Sequence, residues 1–292
     1  MTADKTEFVP VSKTFNSQGL TLHYLDWGND HLPPLILLHG IQDHARSWDG
    51  VAGLLRNHWH VIAVDLRGHG DSDWSPDGAY MAPYILLDLL ELVDTLGFAK
   101  VTLIAHSFGG NAAARFSGLY PDRVSKLVLV DAMGPSQSAI DHWEELGAVK
   151  RTRDWLEKRR VARTKEKRIA TVEEAAGRLR KGNPGLSAEQ AFHLASHGVR
   201  AKDGSFVWKH DPVLGNFLPE DFAIHLAEFW QEVTAPTLTI WGGKSWTSNP
   251  ATNGNADHFQ NVVNVVFDNA GHWIHHDELV EFVVRVRQFL AE

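Results

Sequence analysis

Short runs of continuously apolar residues recur along the chain. Leu35-Ile36-Leu37-Leu38, Val61-Ile62-Ala63-Val64, Val101-Thr102-Leu103-Ile104-Ala105 and Leu127-Val128-Leu129-Val130 do not alternate with polar residues. That pattern predicts strands covered on both faces, as in a parallel sheet. Between them the apolar period changes to that of a helix. Trp48, Val51, Ala52, Leu54 and Leu55 recur at helical spacing within 45–57, and Ile85, Leu89, Leu92, Val93 and Leu96 share one face within 84–96. Residues 112–119 predict a helix that stops before Pro121. Residues 8–11 and 20–27 alternate enough to predict an opening antiparallel pair, with a turn over 28–34. Strands return at 236–241 and 262–267, and a last helix is predicted over 277–290.

Apolar strands alternating with helices predict an α/β fold, a parallel sheet with helices on both faces. One block breaks the alternation. From 134 to 232 the chain is charged, helix-prone and poor in strands, with a break at Lys181-Gly182-Asn183-Pro184-Gly185. It falls between two strands of the sheet. We read it as an inserted helical cap over the strands' carboxyl ends, where ligands bind in such folds. The core is then 1–133 together with 233–292. The basic residues of 150–168 are interspersed with Asp154, Glu157 and Glu166, the pattern of a solvated helix face.

The candidate chemistry gathers where these strands end. The strand over 101–105 runs through His106 into Ser107, with Ala105 two positions before and Gly109 two after. A serine on a sharp strand-to-helix turn is strained, and larger flanking side chains would collide. In return its Oγ stands clear of the sheet above a helix N-terminus. Such a serine needs a base. His272, in Asp268-Asn269-Ala270-Gly271-His272-Trp273, directly follows the last strand and so shares the carboxyl edge with Ser107. His275 and His276 are expected on or near the final helix, facing solvent or the cap. His39 is expected to bond its own loop, and His106 to point away from the nucleophile. Acyl transfer also needs donors for a developing oxyanion. The N–H of Phe108 and, by position, that of Ile41 after His39-Gly40 are the candidates. Asp65 and Arg67 are read as fixing the Gly-rich loop that follows them. Trp208, Trp246 and Trp273 are candidate pocket residues.

These segments resemble the α/β-hydrolase family. The matching pieces are His39-Gly40, Asp65-Leu66-Arg67-Gly68-His69-Gly70-Asp71-Ser72, His106-Ser107-Phe108-Gly109-Gly110, the run from Leu127 to Asp131, and Ala270-Gly271-His272. The spacing of His39, Gly40 and Asp43 also resembles the serine-hydrolase-like branch. The resemblance implies an eight-stranded, mostly parallel sheet, a Ser-His-acid triad and a cap between strands six and seven. The chain departs from the family at the acid, which in most members follows strand seven. Here Trp241-Gly242-Gly243-Lys244-Ser245-Trp246-Thr247-Ser248-Asn249-Pro250 holds no carboxylate, and Ser245 stands about where the acid is expected. Three readings follow. The acid has moved to Asp131 at the end of strand six; or Ser107 and His272 act as a dyad, with Ser245 or water orienting the imidazole; or the triad is degraded.

Composition narrows the function classes. A formal net charge of −8 over 292 residues argues against general affinity for nucleic acid or anionic membrane. Without cysteine there are no disulfides, no thiolate nucleophile and no Cys-type zinc site. The polar N-terminus lacks the apolar core of a signal peptide, so a cytoplasmic protein is expected. The expected activity is hydrolysis of small to medium carboxylic esters through an acyl-enzyme, with a small-molecule acyl substrate and no metal or organic cofactor. Alternatives on the same triad are C–C bond hydrolysis, lactone hydrolysis and perhydrolysis. A binding protein with a relict site is a further alternative.

Overall fold

The computed structural model describes residues 8–135, 137–164, 167–215, 218 and 225–292. Eight strands form one sheet: β1 (Val11–Ser17), β2 (Leu20–Asp26), β3 (Pro34–Leu38), β4 (His60–Val64), β5 (Val101–His106), β6 (Val124–Val130), β9 (Thr237–Gly242) and β10 (Val262–Phe267). Their spatial order is β1-β2-β4-β3-β5-β6-β9-β10. The β1–β2 and β2–β4 pairs are antiparallel, and every pair from β4 to β10 is parallel. The fold is the mostly parallel α/β architecture that the apolar runs predict.

The lack of alternation has a direct cause. Ile36, Leu38, Leu103 and Leu129 pack on one face against Leu89, Leu92, Ala113 and Phe116. These partners come from helices α2 (Ala82–Thr95) and α3 (Ser107–Leu119). Leu35, Leu37, Ile104 and Val128 pack on the other face against Val51 and Leu55 of α1 (Asp49–Leu55) and Phe282 and Val286 of the last helix (Leu279–Ala291). Each strand residue therefore has a covered side to point to.

Two expectations are corrected. The first strand begins at Val11, not at residue 8, and turns at Gln18 (φ 50°) and Gly19 (φ 78°). It is an edge strand with only Phe15 and Ser17 buried, so most of its positions carry no burial signal. The insertion, read as a helical cap, is poor in strands as expected but is not wholly helical, since it contains a hairpin of β7 (Val199–Lys202) and β8 (Ser205–Trp208). The hairpin's turn, Asp203-Gly204, has both φ angles positive, at 48° and 74°. An Asp-Gly pair between two four-residue strands is too short a pattern to stand out in a charged stretch.

Helices among the insertion's described residues include α4 (Gln137–Ala162, broken at Gly147), α5 (Val172–Gly182) and α6 (Ala188–Gly198). Ile169, Ala175, Leu186, Leu194 and Val199 form its own apolar cluster. Polar contacts tie it to loops of the sheet. Fully buried Asp211 accepts from Tyr80 Oη at 2.6 Å and from Arg163 Nη2 at 2.5 Å, and Lys209 pairs with Asp71 at 2.6 Å. Among the described residues no helix is long and apolar enough to cross a membrane.

The loop after β4 is held by charge. Asp65 accepts from the N–H groups of Ala45 (2.6 Å) and Asp71 (2.9 Å), and bonds His23 Nδ1 at 2.7 Å. Arg67 makes a two-pronged pair with Asp88 of α2, at 2.5 and 2.6 Å, with both side chains over nine-tenths buried. Both residues are structural, as expected for the pair that closes β4. Asp88→Ala leaves a buried guanidinium unpaired and is expected to destabilise the fold by about 3–5 kcal/mol. Urea unfolding of the variant beside wild type measures it, and a change near zero would show that water already reaches Arg67.

Candidate active site

Ser107 sits where β5 meets α3, with φ at 49°, a left-handed conformation that a serine adopts only when its surroundings impose it. Gly109 shows why the flanking residue is small. A Cβ there would lie 2.5 Å from the His39 carbonyl and 2.9 Å from Leu38 Cβ. The close approach lets Gly109 N–H donate to the His39 carbonyl at 3.2 Å. The loop carrying Ile41 is thereby tied to the first turn of α3, where Phe108 lies. His39 bonds its own loop as expected: Nδ1 lies 2.7 Å from the Gly40 carbonyl, and Leu66 N–H donates to Nε2 at 3.1 Å.

His272 arrives from the loop after β10. Gly242 at the end of β9 makes room for that loop, since a Cβ there would meet the Gly271 carbonyl at 2.1 Å. His272 Nε2 lies 3.0 Å from Ser107 Oγ, and Nδ1 is hydrogen-bonded to Asp131 Oδ2. Asp131 ends β6 with φ at 49°, and its side chain is fully buried. A carboxylate only accepts, so Nδ1 carries the proton and Nε2 presents a lone pair to Ser107. Ser107, His272 and Asp131 thus form one continuous hydrogen-bonded chain.

Ser245, where the family pattern puts the acid, bonds that carboxylate and not the imidazole. Its Oγ donates to Asp131 Oδ2 at 2.5 Å, and Thr247 Oγ1 donates to Oδ1 at 3.0 Å. Thr247 was not singled out from the sequence; a threonine in a loop has no signature until its carboxylate partner is known. The two hydroxyls hold Asp131 in the orientation that meets His272.

The remaining candidates separate. Trp246 is 75% exposed, and its ring centroid lies 5.0 Å from that of His272. Trp208 and Trp273 each pack, partly buried, against the apolar cluster of the insertion. His106 is buried and its Nε2–H donates to the His272 carbonyl at 2.9 Å, so it steadies the backbone of the base. The His276 imidazole bonds Ser47 Oγ of the core through Nε2 at 2.8 Å, and only its backbone carbonyl meets the insertion, accepting from Gln190. His275 does not face solvent or the insertion. It is 2% exposed and stacks on Trp48 at 4.4 Å, because the short helix Ile274–Asp277 turns it inward.

Burial holds the imidazoles of His69, His106 and His275 well below the ordinary histidine value, with neighbouring histidines adding to the effect. The unfolded chain therefore binds protons below about pH 6.5 that the native state refuses. The stability these neutral imidazoles provide is present above that pH and is lost as pH falls. The urea midpoint is expected to be lower at pH 5 than at pH 7.5. An unchanged midpoint would mean that the native state takes up the same protons.

A sequence model described as the alpha/beta hydrolase fold matches residues 33–279. The chain belongs to the α/β-hydrolase fold family. It is 35% identical over 187 residues to a serine hydrolase-like protein of Danio rerio, which covers 63% of this chain and 57% of that relative's length. It is 28% identical over 279 residues to the sn-1-specific diacylglycerol lipase ABHD11 of Mus musculus, covering 93% of this chain and 85% of that protein. Among solved structures, the thioesterase domain from the curacin biosynthetic pathway superposes with a TM-score of 0.83 at 23% identity, covering 95% of this chain and 99% of that one. Several relatives of this α/β-hydrolase are hydrolases by name.

Proposed function

We propose that this α/β-hydrolase is a serine hydrolase acting on small to medium carboxylic esters. The observation that carries the reading is the chain Ser107 Oγ–His272–Asp131. Ser107 attacks the acyl carbonyl as His272 Nε2 takes its proton, and Asp131 stabilises the imidazolium. The N–H groups of Phe108 and Ile41 receive the oxyanion. His272 returns the proton to the departing alkoxide, giving the alcohol. It then deprotonates a water that attacks the acyl-enzyme, and as the acyl–oxygen bond breaks it returns that proton to Ser107 Oγ, releasing the acid. The insertion 134–232 acts as the cap, with Trp208, Trp246 and Trp273 offering apolar surface to the substrate. The lipase among its relatives is itself an ester hydrolase by name.

C–C bond hydrolysis of a dicarboxylate would call on basic groups from the insertion. Arg163 and Lys209 are instead committed to Asp211 and Asp71, which favours the ester. The test is hydrolysis of p-nitrophenyl esters of increasing chain length, with fluorophosphonate labelling alongside. Ester turnover with stoichiometric labelling at Ser107 is expected, and the chain-length optimum sizes the pocket. A folded protein that neither turns over esters nor labels would overturn the reading.

A further inference from the structure

A second cluster of ligating side chains lies away from Ser107, where the insertion meets the core. His193 and His197 are four residues apart on α6, so one turn of helix sets both imidazoles on the same face. Their ring centroids are 4.9 Å apart. Facing them is Asp49, the first residue of α1 in the core. His193 Nε2 lies 3.1 Å from Asp49 Oδ2, and one ligand atom from each of the three residues falls within 4.8 Å of the others. Asp49 Oδ1 is buried and has no hydrogen-bond partner among the described residues. A cavity of about 210 Å³ opens beside the cluster, lined by Arg46, Asp49, Glu189, His193 and His276. A small ion therefore has a path to it.

We propose that Asp49, His193 and His197 form a binding site for a divalent transition-metal ion of the Zn²⁺ type. Two imidazoles and one carboxylate are borderline ligands that suit zinc over calcium or magnesium, which prefer all-oxygen sites. Three protein ligands leave a fourth, water-filled position in tetrahedral geometry. Zinc–ligand distances near 2.1 Å put ligand atoms about 3.4 Å apart, so separations of up to 4.8 Å must close by at most about 1.4 Å. His193, with 43% of its side chain exposed, has room to do so.

One group opposes the ion. Arg46 Nη1 lies 3.3 Å from Asp49 Oδ2 and competes for the carboxylate. His276 and Glu189 line the same cavity, and His44 bonds the Leu194 carbonyl one residue beyond His193.

The site has a consequence because its ligands come from two parts of the fold. A metal bound there staples α6 of the insertion to α1 of the core. Gln190, one turn before His193, already donates to the His276 carbonyl at 2.9 Å, four residues from His272. The staple therefore fixes the insertion close to the loop that carries the base.

The experiment is calorimetric titration of the purified full chain with ZnCl₂, with thermal unfolding at each metal concentration. One saturable ion per chain and a rising Tm are expected. His193→Gln and His197→Gln should each weaken binding by at least about tenfold and abolish the Tm rise, while keeping the metal-free Tm of wild type. Arg46→Gln should bind more tightly than wild type, because the competing cation is gone. The Co²⁺-loaded protein should show the visible absorption of a tetrahedral site, absent in the His197→Gln variant. No saturable binding to wild type overturns the proposal. So does equal binding by wild type and both histidine variants, since the ion would then sit at other residues. None of these readouts depends on ester turnover, so they stand or fall apart from the proposed hydrolysis.

Discussion

Ser107→Ala is expected to lower ester turnover by about a million-fold, leaving only the slow hydrolysis that a pocket with oxyanion donors gives to bound water. The size follows from what is removed. Without Oγ there is no acyl-enzyme, and the lone pair of His272 Nε2, 3.0 Å from Oγ in the native protein, has no nucleophile to activate. The fold should survive, because Ser107 is half-buried and alanine is smaller and relieves part of the crowding at φ 49°. The decisive measurement is kcat on the best p-nitrophenyl ester, with circular dichroism of both proteins. A variant retaining more than about a hundredth of wild-type turnover would show that Ser107 is not the nucleophile.

Asp131→Asn is expected to cost about 10⁴-fold in kcat with little change in KM. The surroundings of Asp131 dictate how the amide will sit. Ser245 and Thr247 both donate to the carboxylate, and the Asp131 N–H is already committed to the Ile240 carbonyl at 2.8 Å. In the variant Thr247 Oγ1, which donates to Oδ1, keeps the amide oxygen at that position, and the NH₂ takes the Oδ2 position facing Ser245 Oγ, which then accepts, and His272 Nδ1. That nitrogen must then accept, so the proton moves to Nε2 and the imidazole can no longer deprotonate Ser107. A loss much smaller than tenfold would mean that another group orients His272. Fluorophosphonate labelling should slow in parallel, since it too requires the activated serine.

These two predictions draw on different sources. Ser107 is legible in sequence because a local rule marks it: an apolar strand, a serine, small residues two positions either side and a helix behind. His272 is marked by its place directly after the last strand. Both signals lie within a few residues of the atom that acts. The same holds for β3 to β6, whose apolar runs reflect two packed faces and nothing long-range.

Asp131 is a different case. A strand-end aspartate has many structural uses, and the loop after β9 offered only Ser245 in the place of an acid. The choice between a relocated acid, a dyad and a degraded site depended on distances across strands. Because β6 lies between β5 and β9, its end comes within hydrogen-bonding reach of loops more than a hundred residues later in the chain. Thr247 and the roles of the two hydroxyls were invisible for the same reason.

By itself, then, the sequence determined the α/β layering, the strand-to-helix turn at Ser107, the place of His272 after the last strand and the position of the charged segment between β6 and β9. Each of these is written in local periodicity, steric rules or chain order. Tertiary structure alone decided which carboxylate meets His272, that His275 turns inward onto Trp48, and that Asp49 faces His193 and His197 across the core and the insertion. Such pairings join segments that carry no mark of one another, and only tertiary packing brings their side chains within about 5 Å.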